Sequence, residues 1–215
     1  SIIDNIRVFS RVIPEHKYRI LTILKKKNIT AMTGDGVNDV SALTNAHVGI
    51  AMGSGTTIAR EAGDIILMDD NFKSVVEAIH EGRTIYANIK RMLVYLLSTN
   101  AGEVIVSIGA LIVGIPIPLS PVQILWVNLV TDSLTVIPLG LEPGEKRNMK
   151  RGPQKPNAPL LSKFMITRVI IIALTMGILT LLIYVHYLNK FGESYARTMA
   201  FCVIVVMQWA SMLCA

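Results

Sequence analysis

Only two cysteines and four histidines occur in the 215 residues. Cys202 and Cys214 both fall in the last apolar run, without metal-ligand spacing and without the partners of a disulfide framework. They read as packed or lipid-facing thiols. Acidic residues are scarce in the second half: residues 91–215 hold only Glu103, Asp132, Glu142, Glu145 and Glu193, so nearly all of the net charge of +6 lies there. An evenly basic chain would point to nucleic acid. Here Lys146, Arg147, Lys150, Arg151 and Lys155 crowd into one stretch beside long apolar runs, which argues against a nucleic-acid surface and for a positive-inside loop. A signal-peptide pattern is also missing, since Ser1-Ile2-Ile3-Asp4-Asn5 is mixed in character. The sequence opens in mid-pattern and stops at Ala215 inside an apolar segment, so part of a longer protein is expected.

What is present begins with short apolar strands alternating with helices. Val8–Val12 is a strand candidate. Pro14 opens a helix to about Lys27, where Lys25-Lys26-Lys27 suits the negative pole of the helix dipole. Ile29–Met32, Val48–Ala51 and Ile65–Met68 read as strands, with helices near Asn38–Asn45 and Thr56–Glu61 and a turn at Met52-Gly53-Ser54-Gly55. Short buried strands joined by helices predict a mostly parallel sheet covered on both faces.

Polarity then collapses. Residues 75–91 form an amphipathic stalk, and Met92–Val113 carries a single charge, Glu103. No strong breaker lies between residues 85 and 100, so one helix is expected to run from the stalk into a membrane. Gly114-Ile115-Pro116-Ile117-Pro118 makes a tight turn. Spans are predicted at about 92–113, 120–140, 164–188 and 198–215, near the roughly 20 residues needed to cross the hydrocarbon layer. Pro138 is expected to loosen the end of the second. The Lys/Arg bias places residues 1–90 and loop 142–159 in the cytoplasm, with turn 114–119 and linker 189–197 outside. The expectation is a multi-pass protein in a lipid bilayer.

Two polar clusters stand out against this background. Within the apolar runs, Asn100 and Glu103 share a helix face at i,i+3, and Asn128, Thr131 and Asp132 share another at i, i+3 and i+4. Carboxylates in hydrocarbon are costly unless protonated, neutralised or bound to a cation. Asn and Thr as helix–helix glue beside protonated acids is one reading. The other is an oxygen cage for a hard cation such as Ca²⁺, since no Cys or His joins the set. Gln208 in the last span reads either as lone packing or as a peripheral member of that cage. In the soluble part, Thr33-Gly34-Asp35-Gly36-Val37-Asn38-Asp39 follows a strand, where open α/β sheets place their chemistry. Two carboxylates beside an amide-rich turn suit Mg²⁺ and a phosphoryl group, although Gly-Asp-Gly alone can be a surface turn. Lys17 alone reads as a solvated helix lysine.

The stretches MTGDGVNDVSAL (32–43), GIAMGSGTTIAREAGDIILMDDNF (49–72), NAGE (100–103) and WVNLVTDSL (126–134), in this order, resemble the P-type cation-transporting ATPases, and among them the type II calcium pumps. The resemblance covers essentially the whole chain. It implies an α/β haloacid-dehalogenase-like, Rossmann-like partial phosphorylation domain over 1–74, a stalk helix over 75–91, and an α-helical transmembrane bundle over 92–215 corresponding to spans five to eight. It implies ATP as substrate, an aspartyl-phosphate intermediate, Mg²⁺ as cofactor and Ca²⁺ as transported ion. A plasma-membrane location is the further expectation.

Residue by residue, the resemblance makes Asp35 the Mg²⁺ ligand, Asp39 its support, Asn38 a positioner of the phosphoryl group, and Lys17 (in RVIPEHK) its cationic contact. Asn100, Glu103, Asn128, Thr131 and Asp132 fall on calcium-ligand positions. Gln208 replaces a glutamate of the two-site pumps, which favours a single ion, whereas Glu103 favours two. Val40-Ser41 stands for an Ala-Pro pair, and Ser133 and Thr135 stand where Gly and Pro are expected. The phosphorylated Asp-Lys-Thr-Gly-Thr motif is not in this sequence. The amino-terminal half of the same protein is therefore an implied partner, and this chain alone is expected to be inactive. A type II pump for another cation such as Na⁺, and a phosphatase-like domain on a membrane anchor, are the alternatives.

Overall fold

The computed structural model describes residues 6, 8–150, 152 and 159–214. They fall into two compact units, one built on the chain up to Glu81 and one on Gly82–Lys146 and the residues from Pro159.

The first unit is a three-stranded parallel sheet in the order β1-β2-β3, with β1 Ala31–Gly34, β2 Val48–Met52 and β3 Ile65–Leu67. Thr33 stands opposite Ile50, and Ala51 opposite Ile66. Helix α1 (Pro14–Lys25) begins on a proline whose missing N–H is no loss in a first turn. The Lys25 ammonium at its end bonds the Asn45 carbonyl. Helix α2 (Val40–Asn45) and α3 (Thr57–Ala62, capped by the Thr56 hydroxyl) complete the crossovers. The core is Leu21, Ala42, Leu43, Ile50, Ala51, Ala59 and Leu67. Gly49 is required where the end of α2 crosses β2, because a Cβ there would lie 2.7 Å from the Leu43 carbonyl oxygen.

One expected strand is absent. Val8–Ser10 has no regular structure, and Arg11 takes φ 55°, a left-handed conformation that ends any extended run before Pro14. The apolar residues there, Val8 and Phe9, are exposed rather than paired.

Helix α4 runs unbroken from Phe72 to Val113. After the turn at Gly114 (φ 75°), α5 (Pro121–Trp126) starts with a capping box between Ser120 and Gln123. It continues into a five-residue π segment, Val127–Thr131, and then α6, Asp132–Gly140, which contains Pro138. Helices α7 (Lys163–Phe191) and α8 (Glu193–Leu213) are longer than the spans read from hydropathy, and the linker expected over 189–197 shrinks to Gly192 at φ 85°. Local contacts sustain the extra turns: Arg197 pairs with Glu193 at 2.6 Å, and Tyr187, Phe191 and Tyr195 stack at 5.0–5.8 Å. Among the described residues four helices are thus long and apolar enough to cross a membrane.

The second unit packs around Val106, Leu119, Val127, Met176, Tyr184, Ala196, Ala200 and Ile204. Helices α4 and α7 approach through glycine. A Cβ on Gly177 would strike the Ile105 side chain, and one on Gly109 would strike Leu181. Such small-residue contacts are how helices meet in lipid, where no hydrophobic force separates a helix face from its solvent. The outward faces are correspondingly apolar, with Ile112, Leu125, Leu129, Ile137 and Phe164 exposed. At one end Arg91 pairs with Glu142 at 3.2 Å and Glu145 at 3.0 Å. Asn88 there donates to the Gly140 and Glu142 carbonyls at 3.2 and 2.8 Å, tying α4 to the end of α6.

Candidate functional site

In the first unit the candidate residues gather at the carboxyl end of β1. Asp35 follows the strand directly and its side chain is exposed, while its carbonyl accepts from the Thr56 N–H at 2.8 Å. Gly55 permits this approach, since a Cβ there would lie 2.8 Å from the Asp35 carbonyl oxygen. A 3-10 turn, Val37–Asp39, then turns Asp39 back under Gly34 into the interior. Lys17 of α1 reaches across 22 positions to donate to the Asp39 carboxylate at 2.7 Å. The lysine read alone as a solvated helix residue is thereby half-buried and ion-paired. Asn38 is exposed beside Asp35. The result is an exposed carboxylate and an exposed amide at the mouth of the sheet, backed by a buried acid–lysine pair.

Further along, the loop into α4 is tied down by its own acids. Asp70, at φ 52°, accepts from the Ser54 N–H at 3.2 Å, and Asp69 accepts from the Ser74 hydroxyl at 2.6 Å. The Ser74 hydroxyl, then the Asn71 N–H, hold the Asp69 carboxyl below its ordinary value. Hydrogen bonds from Ser54 do the same for Asp70.

The second unit holds the other cluster. Glu103 is buried on α4 and takes two amide hydrogen bonds, from Asn128 Nδ2 at 3.0 Å and from Gln208 Nε2 at 3.2 Å. Asp132 is buried at the first residue of α6 and takes two hydroxyl hydrogen bonds, from Tyr95 at 3.0 Å and Thr99 at 3.3 Å. No Lys, Arg or His among the described residues is paired with either. Thr131 is buried beside them.

Two sequence expectations change here. Asn100 does not join the cluster here: its side chain is exposed and donates to the Leu96 carbonyl at 2.8 Å, at the outer edge of the face that carries Glu103, since i and i+3 are about 60° apart. Gln208 moves the other way. It is fully buried against Glu103, and its side-chain carbonyl oxygen has no hydrogen-bond partner. Sequence reasoning also missed Tyr95 and Thr99 altogether. The signal was available, since Tyr95, Thr99 and Glu103 repeat at i, i+4 and i+8 on one stripe of an apolar helix.

The ligand chemistry follows from this inventory. Among the described residues no three or more His, Cys, Asp or Glu gather in one place to hold a metal ion. Two carboxylates with amide and hydroxyl oxygens, one amide oxygen unpartnered, form an oxygen set that fits a hard cation.

Comparison with known proteins agrees with this division. Residues 116–215 match the family described as cation transporting ATPase, C-terminus, and residues 19–79 match haloacid dehalogenase-like hydrolases. The chain belongs to the P-type cation-transporting ATPases, as an α/β haloacid-dehalogenase-like part joined to a helical part. Within that class it is similar to calcium-transporting ATPases. It is 42% identical over 211 residues to that of Bacillus subtilis (strain 168), covering 96% of this chain and 24% of the relative. It is 48% identical over 194 residues to that of Plasmodium falciparum (isolate K1 / Thailand), covering 89% of this chain and 16% of the relative. Calcium-transporting ATPase 1 of Bacillus cereus (strain ATCC 10987 / NRS 248) is 46% identical over 190 residues, 86% of this chain and 21% of its own length. The chain spans about a quarter or less of these relatives.

Proposed function

We propose that the chain is part of an ATP-driven pump that carries Ca²⁺ across a membrane, with Ca²⁺ as cargo and an aspartyl phosphate as intermediate. One observation carries this reading: Glu103 and Asp132 are each buried with neutral donors on their oxygens and, among the described residues, no Lys, Arg or His paired with either. A buried carboxylate without a fixed partner is unfavourable unless it is protonated or a cation supplies the opposite charge, and a transport site calls for the second. The Gln208 carbonyl oxygen, buried and unpartnered, adds an acceptor with nothing else to bind. Asn128, Thr131 and Gln208 complete the inner oxygen set, and Asn100 belongs to it only after its helix face turns inward.

At the other site Asp35 would hold Mg²⁺, whose role is to bridge phosphate oxygens and offset their charge. Asp35 is suited to it, being exposed and acceptor-only next to an amide-rich turn. Asn38 positions the phosphoryl group by hydrogen bonding. Lys17 neutralises it as a point cation, and Asp39 aims Lys17 through the 2.7 Å pair. Helix α4, continuous from Phe72 to Val113, supports a mechanical link between these chemistries. The Lys/Arg bias supports a cytoplasmic placement of residues 1–90 and 142–159, and we assign the pump to the plasma membrane.

The decisive measurement is ATP hydrolysis by the full-length protein titrated separately with Ca²⁺, Na⁺, K⁺ and Mn²⁺. Activation by micromolar Ca²⁺ is expected. Activation by Na⁺ without such a response would replace Ca²⁺ as cargo, and no cation dependence would favour a phosphatase-like domain on an anchor. This chain alone, without the Asp-Lys-Thr-Gly-Thr motif, is expected to show no sustained hydrolysis above background.

A further inference from the structure

Thr135 enters the sequence reading only as a departure from the calcium-pump pattern, yet its hydroxyl lies at the centre of the buried network around Asp132. It is 2.7 Å from the Tyr95 hydroxyl, 2.9 Å from the Thr131 carbonyl oxygen and 3.0 Å from the Asp132 carbonyl oxygen. Thr135, Tyr95 and Asp132 are all buried, at 4%, 1% and 3% exposure, so water is a poor substitute for any partner they lose.

The proton count orders this network. An ionised Asp132 can only accept, so the Tyr95 proton points at its Oδ1 at 3.0 Å. The short Thr135–Tyr95 contact must then be Thr135 donating to the phenol oxygen. A hydroxyl has one proton, so the Thr131 and Asp132 carbonyls are acceptors that Thr135 reaches but does not then use. A second arrangement is therefore already built. If a cation takes Asp132, Tyr95 can turn its proton onto the Thr135 oxygen, and Thr135 can turn its own onto the Thr131 carbonyl. Neither step transfers a proton between atoms; two O–H bonds rotate. Every hydroxyl stays satisfied in both arrangements.

We propose that Thr135 is a positioning residue for the cation site, a hydroxyl switch that accepts from Tyr95 when a cation displaces Tyr95 from Asp132. The proposal rests on the cation-site reading above. Without the Thr135 hydroxyl, Tyr95 keeps a partner in the cation-free arrangement and loses it in the cation-bound one. The penalty therefore falls on cation binding.

The test uses the full-length protein and two readouts: the cation concentration giving half-maximal phosphorylation, and the thermal stabilisation produced by added Ca²⁺ without ATP. Thr135→Val is expected to raise the half-activating concentration by about ten-fold, the scale of one buried unsatisfied hydroxyl, and by more than it lowers the maximal rate. Thr135→Ser, which keeps the hydroxyl, restores the wild-type value and covers the case in which the valine variant folds poorly. Adding Tyr95→Phe to Thr135→Val removes the hydroxyl left stranded, so the double variant matches Tyr95→Phe alone. Equal effects of Val and Ser, additive effects of the two substitutions, or an unchanged half-activating concentration would overturn the switch. If wild-type protein is stabilised by Ca²⁺ but not phosphorylated in response to it, the pump reading fails while the switch is still judged on stabilisation. Absence of both responses overturns both.

Discussion

The two units treat buried carboxylates in opposite ways. In the α/β unit, Asp39 is buried and meets a lysine at 2.7 Å. In the helical unit, Glu103 and Asp132 are as deeply buried and meet only amides and hydroxyls. A lysine cancels charge permanently and fixes geometry, as the 2.7 Å pair does for Asp39. Neutral donors orient a carboxylate without cancelling it, which leaves the negative charge for something mobile. Under the proposed function, the difference separates a scaffold acid from a receptor.

Substitutions can break this contrast from either side. The largest effect is expected from Asp132→Asn in the full-length protein: cation-dependent phosphorylation falls by about 100-fold or more, beyond the roughly 10–100-fold typical of outer partners of a metal site. Retention of cation dependence in a phosphorylation assay would make Asp132 scaffold after all. Lys17→Met should act in the other unit alone. It strands a buried Asp39 at a cost of about 1–3 kcal/mol, less than for a fully buried pair because Lys17 is about one-third exposed. Thermal unfolding would show the loss, and phosphorylation should fall in maximal extent with its half-activating cation concentration unmoved. Gly177→Ala tests packing without touching either site. The Ile105 side chain must yield to the new methyl, costing about 1–3 kcal/mol by overpacking, read as a lower melting midpoint.

The smallest effect concerns pH. The Asp69 carboxyl is held below its ordinary value of 3.8 by the Ser74 hydroxyl, so its contribution is present above that value and lost as pH falls through the lower, folded one. Ser74→Ala should therefore loosen residues 69–74 near neutral pH, and the difference from wild type should vanish in strong acid. Amide hydrogen exchange of that loop reads it directly.

Much of this was legible because periodicity is local. The β-branched runs at Val48 and Ile65 and the unbroken apolar phase of α4 mark their elements without reference to anything distant. The Val8–Val12 run carried the same signal and formed no strand, since a strand needs a neighbour and Arg11 turned the chain away. Among the candidate residues, Asp35, Glu103 and Asp132 announce themselves as charges in telling places. Lys17 does not, because its partner is 22 residues off and only the crossover brings α1 onto the turn at Asp39. Gln208 sits 105 residues from Glu103, and its burial depends on three helices meeting. Asn100 stands apart from Glu103 for a finer reason: sharing a face at i,i+3 leaves enough angular spread for one residue to face inward and the other out.

The π segment at Val127–Thr131 makes this stretch sensitive to length as well as to composition. Its bonds close over one more residue than those of an α-turn, so everything from Asp132 onward is set back by about 100° in phase. Asn128 stands near the start of that segment and meets Glu103; Asp132 stands after it and meets Tyr95. Removing Leu129 or Val130 would restore ordinary winding and rotate the downstream carboxylate off its partners while deleting no polar side chain. The segment therefore tolerates a conservative exchange of letters better than a change in their number.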